Sequence, residues 1–225
     1  MADENFGQIV AACTDILVPN GDIPTERIVK RVINLCHSDI CGLFKWTWLQ
    51  RKATLTLPVN TSDIALPDGS SVLDINAAVP AYCRQVLAVS SVGEGQPLTP
   101  QPLILYELKN GRLSGSSGVA AFWAQYNRRL YAMPITAVAD QLEVFYIAGH
   151  TTMVANADEP LIPGPYRNTL MWKALAVASA LDTFDRTITG MANRAYEEAM
   201  MGLRSNSEVM SPAYINVFNV TGMVC

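Results

Sequence analysis

The chain has 225 residues, of which 50% are apolar and only 16% are charged, and its formal net charge at pH 7 is −4. A chain of this length buries a sizeable core without disulfides or a structural metal, and a typical soluble domain has about 25% charged residues. The negative balance argues against a protein that grips nucleic acid through its phosphates, and the scarcity of charge predicts an oligomer whose surface is partly covered by other chains.

Helical periodicity marks the first 50 residues. Residues 6–17 carry an apolar side chain every three to four positions, which predicts a first helix that ends at the turn Pro19-Asn20-Gly21. A second helix is predicted over residues 24–44, because its apolar residues fall within about half of a helical wheel. That apolar arc contains Ile28, Val29, Val32, Ile33, Leu35, Cys36, Ile40, Leu43 and Phe44.

The other half of the second helix is polar. It carries Arg27, Lys30, Arg31, Asn34, His37, Ser38 and Cys41. We expect His37 to be a solvated or interface side chain. Arg27, Lys30 and Arg31 place positive charge in the first turns, where the helix dipole disfavours it. This departure from local rules favours a contact with an acidic partner or a neighbouring subunit, and a solvated face is the alternative.

Asp39 lies inside the apolar arc of the second helix, and Trp46 and Trp48 follow soon after it. Two structural interpretations remain open. Asp39 is either a buried acceptor for an indole N–H of one of these tryptophans, or it marks the place where the helix leaves the core.

Between residues 53 and 148 the hydrophobic period changes to two, as in half-buried strands. Residues 53–59 alternate strictly. Further strands are predicted over residues 72–75, 84–92, 103–109, 119–126, 129–133 and 141–148. Asn110-Gly111 is a strong signal for a two-residue hairpin turn. Short strands separated by turns predict an antiparallel sandwich or barrel.

The helical period returns after Pro160, Pro163 and Pro165. A third helix is predicted over residues 166–181, alanine-rich and apolar nearly all round, and therefore buried. A fourth is predicted over residues 184–203, with one apolar face that includes Met191. The last segment crowds apolar residues together, so it either folds back on the β domain or lies as an extended strand on a partner. Those residues are Tyr214, Ile215, Val217, Phe218 and Val220.

These elements predict an α+β fold. A helical bundle of about four helices is built from both chain ends, residues 1–50 and 160–204. An antiparallel β domain, like a sandwich or barrel, is inserted over residues 51–159. An extended C-terminal tail spans residues 205–225.

Signals for chemistry are weak. Cys36, His37 and Cys41 are the best metal candidates, but on a helix the two cysteines are about 140° apart at 100° per residue, and no second Cys/His pair completes a site. Residues 111–118 are glycine-rich but lack the Gly-Lys-Ser/Thr ending of a phosphate-binding loop. His150 has no nucleophile beside it in the sequence. We therefore predict no enzyme, no metal and no cofactor.

The N-terminus and the cysteines bear on the cellular setting. The start, MADENFGQIV, is acidic and lacks the features of a signal peptide. No apolar stretch approaches the roughly 18 residues of a membrane span. The five cysteines are odd in number and scattered, which favours reduced thiols in the cytosol.

Five segments carry a resemblance when taken together. They are WTWLQRKATLTLPV, where a basic-faced helix ends in tryptophan and runs into a threonine-rich strand, then LPDGSSVLDI, LYAMPITAVADQLEVFYIAG, DEPLIPGPYRNTLMWKALAVASAL and NRAYEEAMMGL. In this arrangement the chain resembles the head-to-tail adaptor (connector) proteins of tailed bacteriophages, particularly short-tailed ones. The resemblance spans residues 25–204.

The resemblance implies a structural virion protein, made in the host cytoplasm and located in the neck at the head–tail junction. It implies a ring, usually of twelve copies, docked between the portal protein and the tail tube or nozzle protein. DNA would pass through the ring without specific binding during genome ejection. The helical bundle and a terminal extension would engage the portal, and the β domain would face tail components.

The candidate partner-binding residues, for the portal or a neighbouring subunit, are Arg27, Lys30, Arg31, Tyr214, Ile215, Val217, Phe218 and Val220. The alternative function is a recognition module whose β domain binds carbohydrate or another ligand through exposed Trp123, Tyr126 and Tyr131. A small hydrolase that uses His150 ranks below both.

Overall fold

A computed structural model describes residues 4–17, 23–68, 82–102, 118–181 and 187–206. The predicted strands over residues 72–75 and 103–109 and the Asn110-Gly111 hairpin lie outside the described residues, as do the tail residues beyond 206. The chain separates into two compact units, Met1–Leu49 with Thr152–Cys225, and Gln50–Thr151. We call them the helical unit and the β unit. Helices at both ends of the chain around a central β region confirm the predicted α+β fold.

The helical unit contains four α-helices among its described residues. They are α1 (Phe6–Leu17), α2 (Ile23–Leu43), α3 (Asn168–Ser179) and α4 (Thr187–Asn206). Short 3₁₀ helices lie at Thr47–Leu49 and Gly164–Tyr166, and the prolines at 163 and 165 explain why α3 begins two residues later than predicted. α3 packs against the other three helices. The fully buried centre includes Phe6, Ile9, Ile33, Ile40, Leu170 and Leu175.

The buried face of α2 differs from the predicted one. Leu35 and Leu43, expected in the apolar arc, are 57% and 50% exposed, whereas Cys41 and His37, expected on the polar half, are buried. The buried positions follow a stripe of three- and four-residue steps that faces α1 and α3 as well as the chain segment before α3. A helical wheel that records only apolar character does not predict that a polar side chain, His37, lies on this buried stripe.

The β unit consists of two sheets. Its strands are β1 (Gln50–Leu57), β2 (Asp63–Ala65), β3 (Tyr82–Ser91), β4 (Thr99–Pro100), β5 (Phe122–Tyr126), β6 (Arg129–Met133) and β7 (Asp140–Gly149). One sheet has the order β1-β7-β3 and is antiparallel, and the other has the order β2-β6-β5-β4. Only the short β4–β5 pairing is parallel among the pairings of described strands, which departs from the expected antiparallel arrangement.

Alternation along β1 produces one buried and one exposed face. Ala53, Leu55 and Leu57 are buried, and the residues between them are exposed, as the period of two predicts. β7 lies between β1 and β3, and its Leu142 and Val144 are fully buried. The buried face of β1 therefore follows from the sequence pattern alone.

A side chain caps the edge of β3. The Gln125 Oε1 atom accepts the Val86 N–H at 2.7 Å, and Gln125 Nε2 donates to the Arg84 carbonyl at 3.5 Å. β3 also carries register shifts between Cys83 and Gln85 and between Val86 and Ala88. Unpaired strand edges invite pairing with other chains, and both features occupy or distort this edge.

None of the helices in the described part of the chain combines the length and the apolar character that crossing a bilayer requires.

Candidate interaction surface

Two polar residues of α2 hold the segment that leads to α3. The Asn34 side chain donates through Nδ2 to the Met153 carbonyl at 3.0 Å and accepts the Met153 N–H through Oδ1 at 2.8 Å. One turn further on, His37 Nε2 accepts the Leu161 N–H at 3.1 Å. The expectation of a solvated or interface His37 is therefore wrong, because this imidazole is buried and satisfies a backbone donor that lies outside regular secondary structure.

Arg167 ties the same segment to the N-terminus. Its guanidinium donates to the Ile162 carbonyl at 3.1 Å, to the Glu4 carbonyl at 2.8 Å and to Glu159 Oε2 at 2.9 Å. The Arg167 side chain is only 7% exposed. Sequence reasoning did not single it out. Its only signal in the sequence is a cation between the proline cluster and an alanine-rich, largely apolar helix.

The first turn of α1 completes these connections. The Phe6 N–H donates to the Asp158 carbonyl at 2.8 Å, and the Gly7 N–H donates to the Asn156 carbonyl at 2.9 Å. A Cβ atom at Gly7 would lie 2.7 Å from the Asn156 Cβ, so this approach requires glycine. Residues 153–162, which we call the connecting segment, are thus bound to α1, to α2 and to Arg167. They fix the inner face of α2 and leave its outer face available.

That outer face carries the predicted basic residues. Arg27 and Arg31, one turn apart, are exposed. Lys30 pairs with Glu26 at 2.7 Å, so its charge is balanced within the helix. The structure thus brings Arg27 and Arg31 onto one surface and sets Lys30 apart. Their role in partner binding stays a prediction.

Asp39 is exposed and pairs with Lys173 of α3 at 3.3 Å. The interpretation of Asp39 as a buried acceptor for tryptophan is wrong. The Trp46 indole N–H instead donates to the Ile40 carbonyl at 2.8 Å, one of the last carbonyls of α2 that lack a partner within the helix.

Aromatic residues surround the end of α2. Trp46 packs edge-on against Phe44 and stacks on Trp48, with ring centroids 5.0 Å and 5.6 Å apart. The Arg204 guanidinium in the last turn of α4 lies 4.8 Å from the Phe44 ring centroid. Leu203 beside it is fully buried. The last turn of α4 is therefore anchored to the end of α2.

α4 presents a second exposed surface. Met191, on the predicted apolar face, is 56% exposed, and Met201 is 67% exposed. Arg194 and Glu198 form an ion pair at 3.3 Å, and they line a shallow concavity with Gly190, Met191 and Ala195. Glu197 is also exposed. α4 has α3 as its main packing partner, which leaves this outer side uncovered.

The aromatic residues proposed for carbohydrate binding do not share an exposed surface. Trp123 is buried, whereas Tyr126 is exposed and Tyr131 is partly buried. Trp123 opposes Ala132 and Tyr131 opposes Ala124 in the β5–β6 ladder, so Trp123 and Tyr131 point to opposite faces of it. The expectation that Trp123 is exposed is therefore wrong.

The thiols are poor nucleophiles and poor metal ligands. Burial raises the pKa of Cys13 and Cys83 to about 12 and that of Cys36 to about 11. Burial also lowers the pKa of His150, at the end of β7. Among the residues that the structure describes, no three or more His, Cys, Asp or Glu side chains are grouped closely enough to hold a metal ion.

A family model described as SU10 adaptor protein matches residues 4–216 of the chain. The match spans every helix and strand described above, and it confirms the resemblance to phage head-to-tail adaptors. None of the curated proteins compared with the chain matches it.

Proposed function

Because the chain belongs to the SU10 adaptor protein family, a family of structural phage head-to-tail adaptors, we propose that its copies form a ring that joins the portal protein to the tail. The observation that carries the proposal is the extent of the family match, which includes both units. The exposed apolar residues of α2 and α4 support it, since such residues favour contacts between proteins.

We place DNA within this ring. The chain has a net charge of −4, and a wall of this sign repels phosphates and lets DNA slide without specific binding during genome ejection. In this proposal the ring has twelve copies, lies in the virion neck and has no catalytic role and no cofactor.

The proposed ring divides its contacts between the domains. The helical bundle of residues 1–50 and 160–204 faces the portal, and the β domain of residues 51–159 faces the tail tube or nozzle. The tail of residues 205–225 binds the portal through Tyr214, Ile215, Val217, Phe218 and Val220. Its starting point supports this assignment, because Arg204 on Phe44 and the buried Leu203 give an extended contact a fixed origin. In this proposal Arg27, Lys30 and Arg31 contact the portal or a neighbouring subunit.

The test uses the purified full chain and its cognate portal. We expect the two to coelute in size-exclusion chromatography and rings to appear in negative-stain electron micrographs. The double variant Tyr214→Ser/Phe218→Ser should lose coelution, because it removes apolar anchors. The matched variant Asn216→Ser/Asn219→Ser should keep it. An unchanged chain that neither binds the portal nor forms rings overturns the proposal.

A further inference from the structure

The charged residues of α2 and α4 divide into paired and unpaired groups. Three pairs balance each other within the helical unit, Lys30 with Glu26, Asp39 with Lys173, and Arg194 with Glu198. Arg27 and Arg31 on α2 and Glu197 on α4 are exposed and make no hydrogen bond or ion pair within the described part of the chain. The unpaired charge on α2 is therefore positive, and Glu197 is the acid left without a partner on α4, where Arg204 lies over the Phe44 ring.

Arg31 and Glu197 each have an exposed apolar residue one turn away. Leu35, four residues after Arg31, is 57% exposed, and Met201, four residues after Glu197, is 67% exposed. Residues four apart share a helix face and lie about 6 Å apart along the axis. The α2 face thus presents a base and then an apolar side chain, and the α4 face presents an acid and then an apolar side chain at the same spacing.

These two faces do not meet within one copy, because all four side chains are exposed and both charges are unpaired there. Small residues make both helices approachable. A Cβ atom at Gly42 of α2 or at Gly190 or Gly202 of α4 would meet nothing within 4 Å in the single chain. A second copy of the chain offers each face its complement.

We propose that α2 of one copy packs against α4 of the next, with Leu35 against Met201 and Arg31 paired with Glu197. Arg27 lies one turn away at the margin of this contact. The inference rests on the proposed ring and names the surface that builds it. A contact between two different surfaces is heterologous, so it repeats from copy to copy and closes into a ring when the rotation permits.

Charge reversal tests the pairing. In mass photometry across a protein dilution series, Arg31→Glu and Glu197→Arg should each weaken self-association at least about tenfold, because each places like charges in the contact. The double variant Arg31→Glu/Glu197→Arg should recover to within about threefold of the unchanged chain. The matched control is Arg31→Glu/Glu94→Arg, in which the second reversal lies on an exposed turn of the β unit and should restore nothing.

The apolar half of the contact has its own test. Leu35→Ser and Met201→Ser should also weaken self-association, whereas Val154→Ser, which alters a 76% exposed valine of the same unit, should leave it unchanged. All these positions are exposed, so folding should survive, and circular dichroism with thermal melting checks this for each variant.

The outcomes distinguish a failure of the proposed α2–α4 contact from a failure of the proposed ring. Failure of the unchanged chain to self-associate at any concentration overturns the ring itself. A chain that assembles while the single reversals assemble equally well overturns the α2–α4 contact and leaves the ring standing. Loss of portal binding in Arg31→Glu with normal self-association also overturns the contact, because it assigns the α2 face to the portal.

Discussion

The helical unit and the β unit satisfy their backbones in different ways. In the β unit, ladders of main-chain hydrogen bonds join the strands, and a side chain, Gln125, intervenes at the edge of β3. In the helical unit, the irregular connecting segment depends on Asn34, His37 and Arg167, which come from distant parts of the chain. Main-chain ladders thus hold the strands of the β unit together, whereas specific polar side chains hold the segment that joins the two helical ends.

Substitution of Arg167 should cost the most stability of the changes considered. Arg167→Met leaves the carbonyls of Ile162 and Glu4 without their donor in a buried site, and we expect the free energy of unfolding to fall by about 3 kcal/mol. Urea denaturation measures the loss. Glu159→Gln is the control and should cost less than about 1 kcal/mol, because Glu159 is largely exposed. Equal losses in both variants would assign the stability to the ion pair instead of the carbonyls.

Two glycines, one in each unit, differ in the space around them. Gly149 of β7 lies opposite Tyr82, and a Cβ atom there would collide with the tyrosine ring. We expect Gly149→Ala to destabilise the protein by about 2 kcal/mol, as overpacking does. Gly42→Ala in α2 meets open space and should stabilise by about 0.5 to 1 kcal/mol through helix propensity. Thermal melting of both variants gives the signs, and two shifts of the same sign would contradict the packing argument.

The sequence predicts the helices and strands better than it predicts which side chains are buried and what they contact. The first helix lies at Phe6–Leu17 and β6 at Arg129–Met133, as predicted, because periodicity reflects burial directly. The predicted strand bounds leave only Asn127 and Arg128 between β5 and β6, but the sequence does not indicate that both have positive φ, because arginine is unusual in that conformation. His37 was placed wrongly because its partner, the Leu161 N–H, is 124 residues away in the chain.

The sequence alone indicates only the α2 part of the candidate interaction surface. Arg27 and Arg31 stand out on a helical wheel, since they break the expected charge preference of a helix start. The α4 face did not, because exposed methionines resemble core residues in sequence. Exposure of Met191 and Met201 is decided by the number of helices that pack on α4, which is a property of the assembled bundle.

A smaller effect is expected at Asn34. Asn34→Ala removes the paired hydrogen bonds to Met153, and we expect a loss of about 1 to 2 kcal/mol in the free energy of unfolding. Asn193→Ala, the same change on the exposed side of α4, should lie within about 0.5 kcal/mol of the unchanged protein. Urea denaturation of both variants measures the difference in the free energy of unfolding. Equal losses would mean that the Asn34 side chain does not hold the connecting segment.

A still smaller effect is expected on the pH dependence of stability, through His150 of the β unit. Burial lowers the pKa of His150, so the folded state disfavours its protonation and its contribution to stability is lost as pH falls from about 6.5 through the folded value. His150→Gln should therefore lose less stability between pH 7 and pH 5 than the unchanged protein. Urea midpoints across this range measure the difference, and parallel pH profiles would contradict it.

The connecting segment also has a consequence for motion. Its amides at Met153 and Leu161 have no place in a helix or strand, yet both donate to side chains of α2. Slow hydrogen exchange is usually associated with regular structure, but these two amides should be protected to the same degree as the helices that hold them. Residues 153–162 would then open only when the whole bundle opens, and a stretch of coil would report the rigidity of the helical unit.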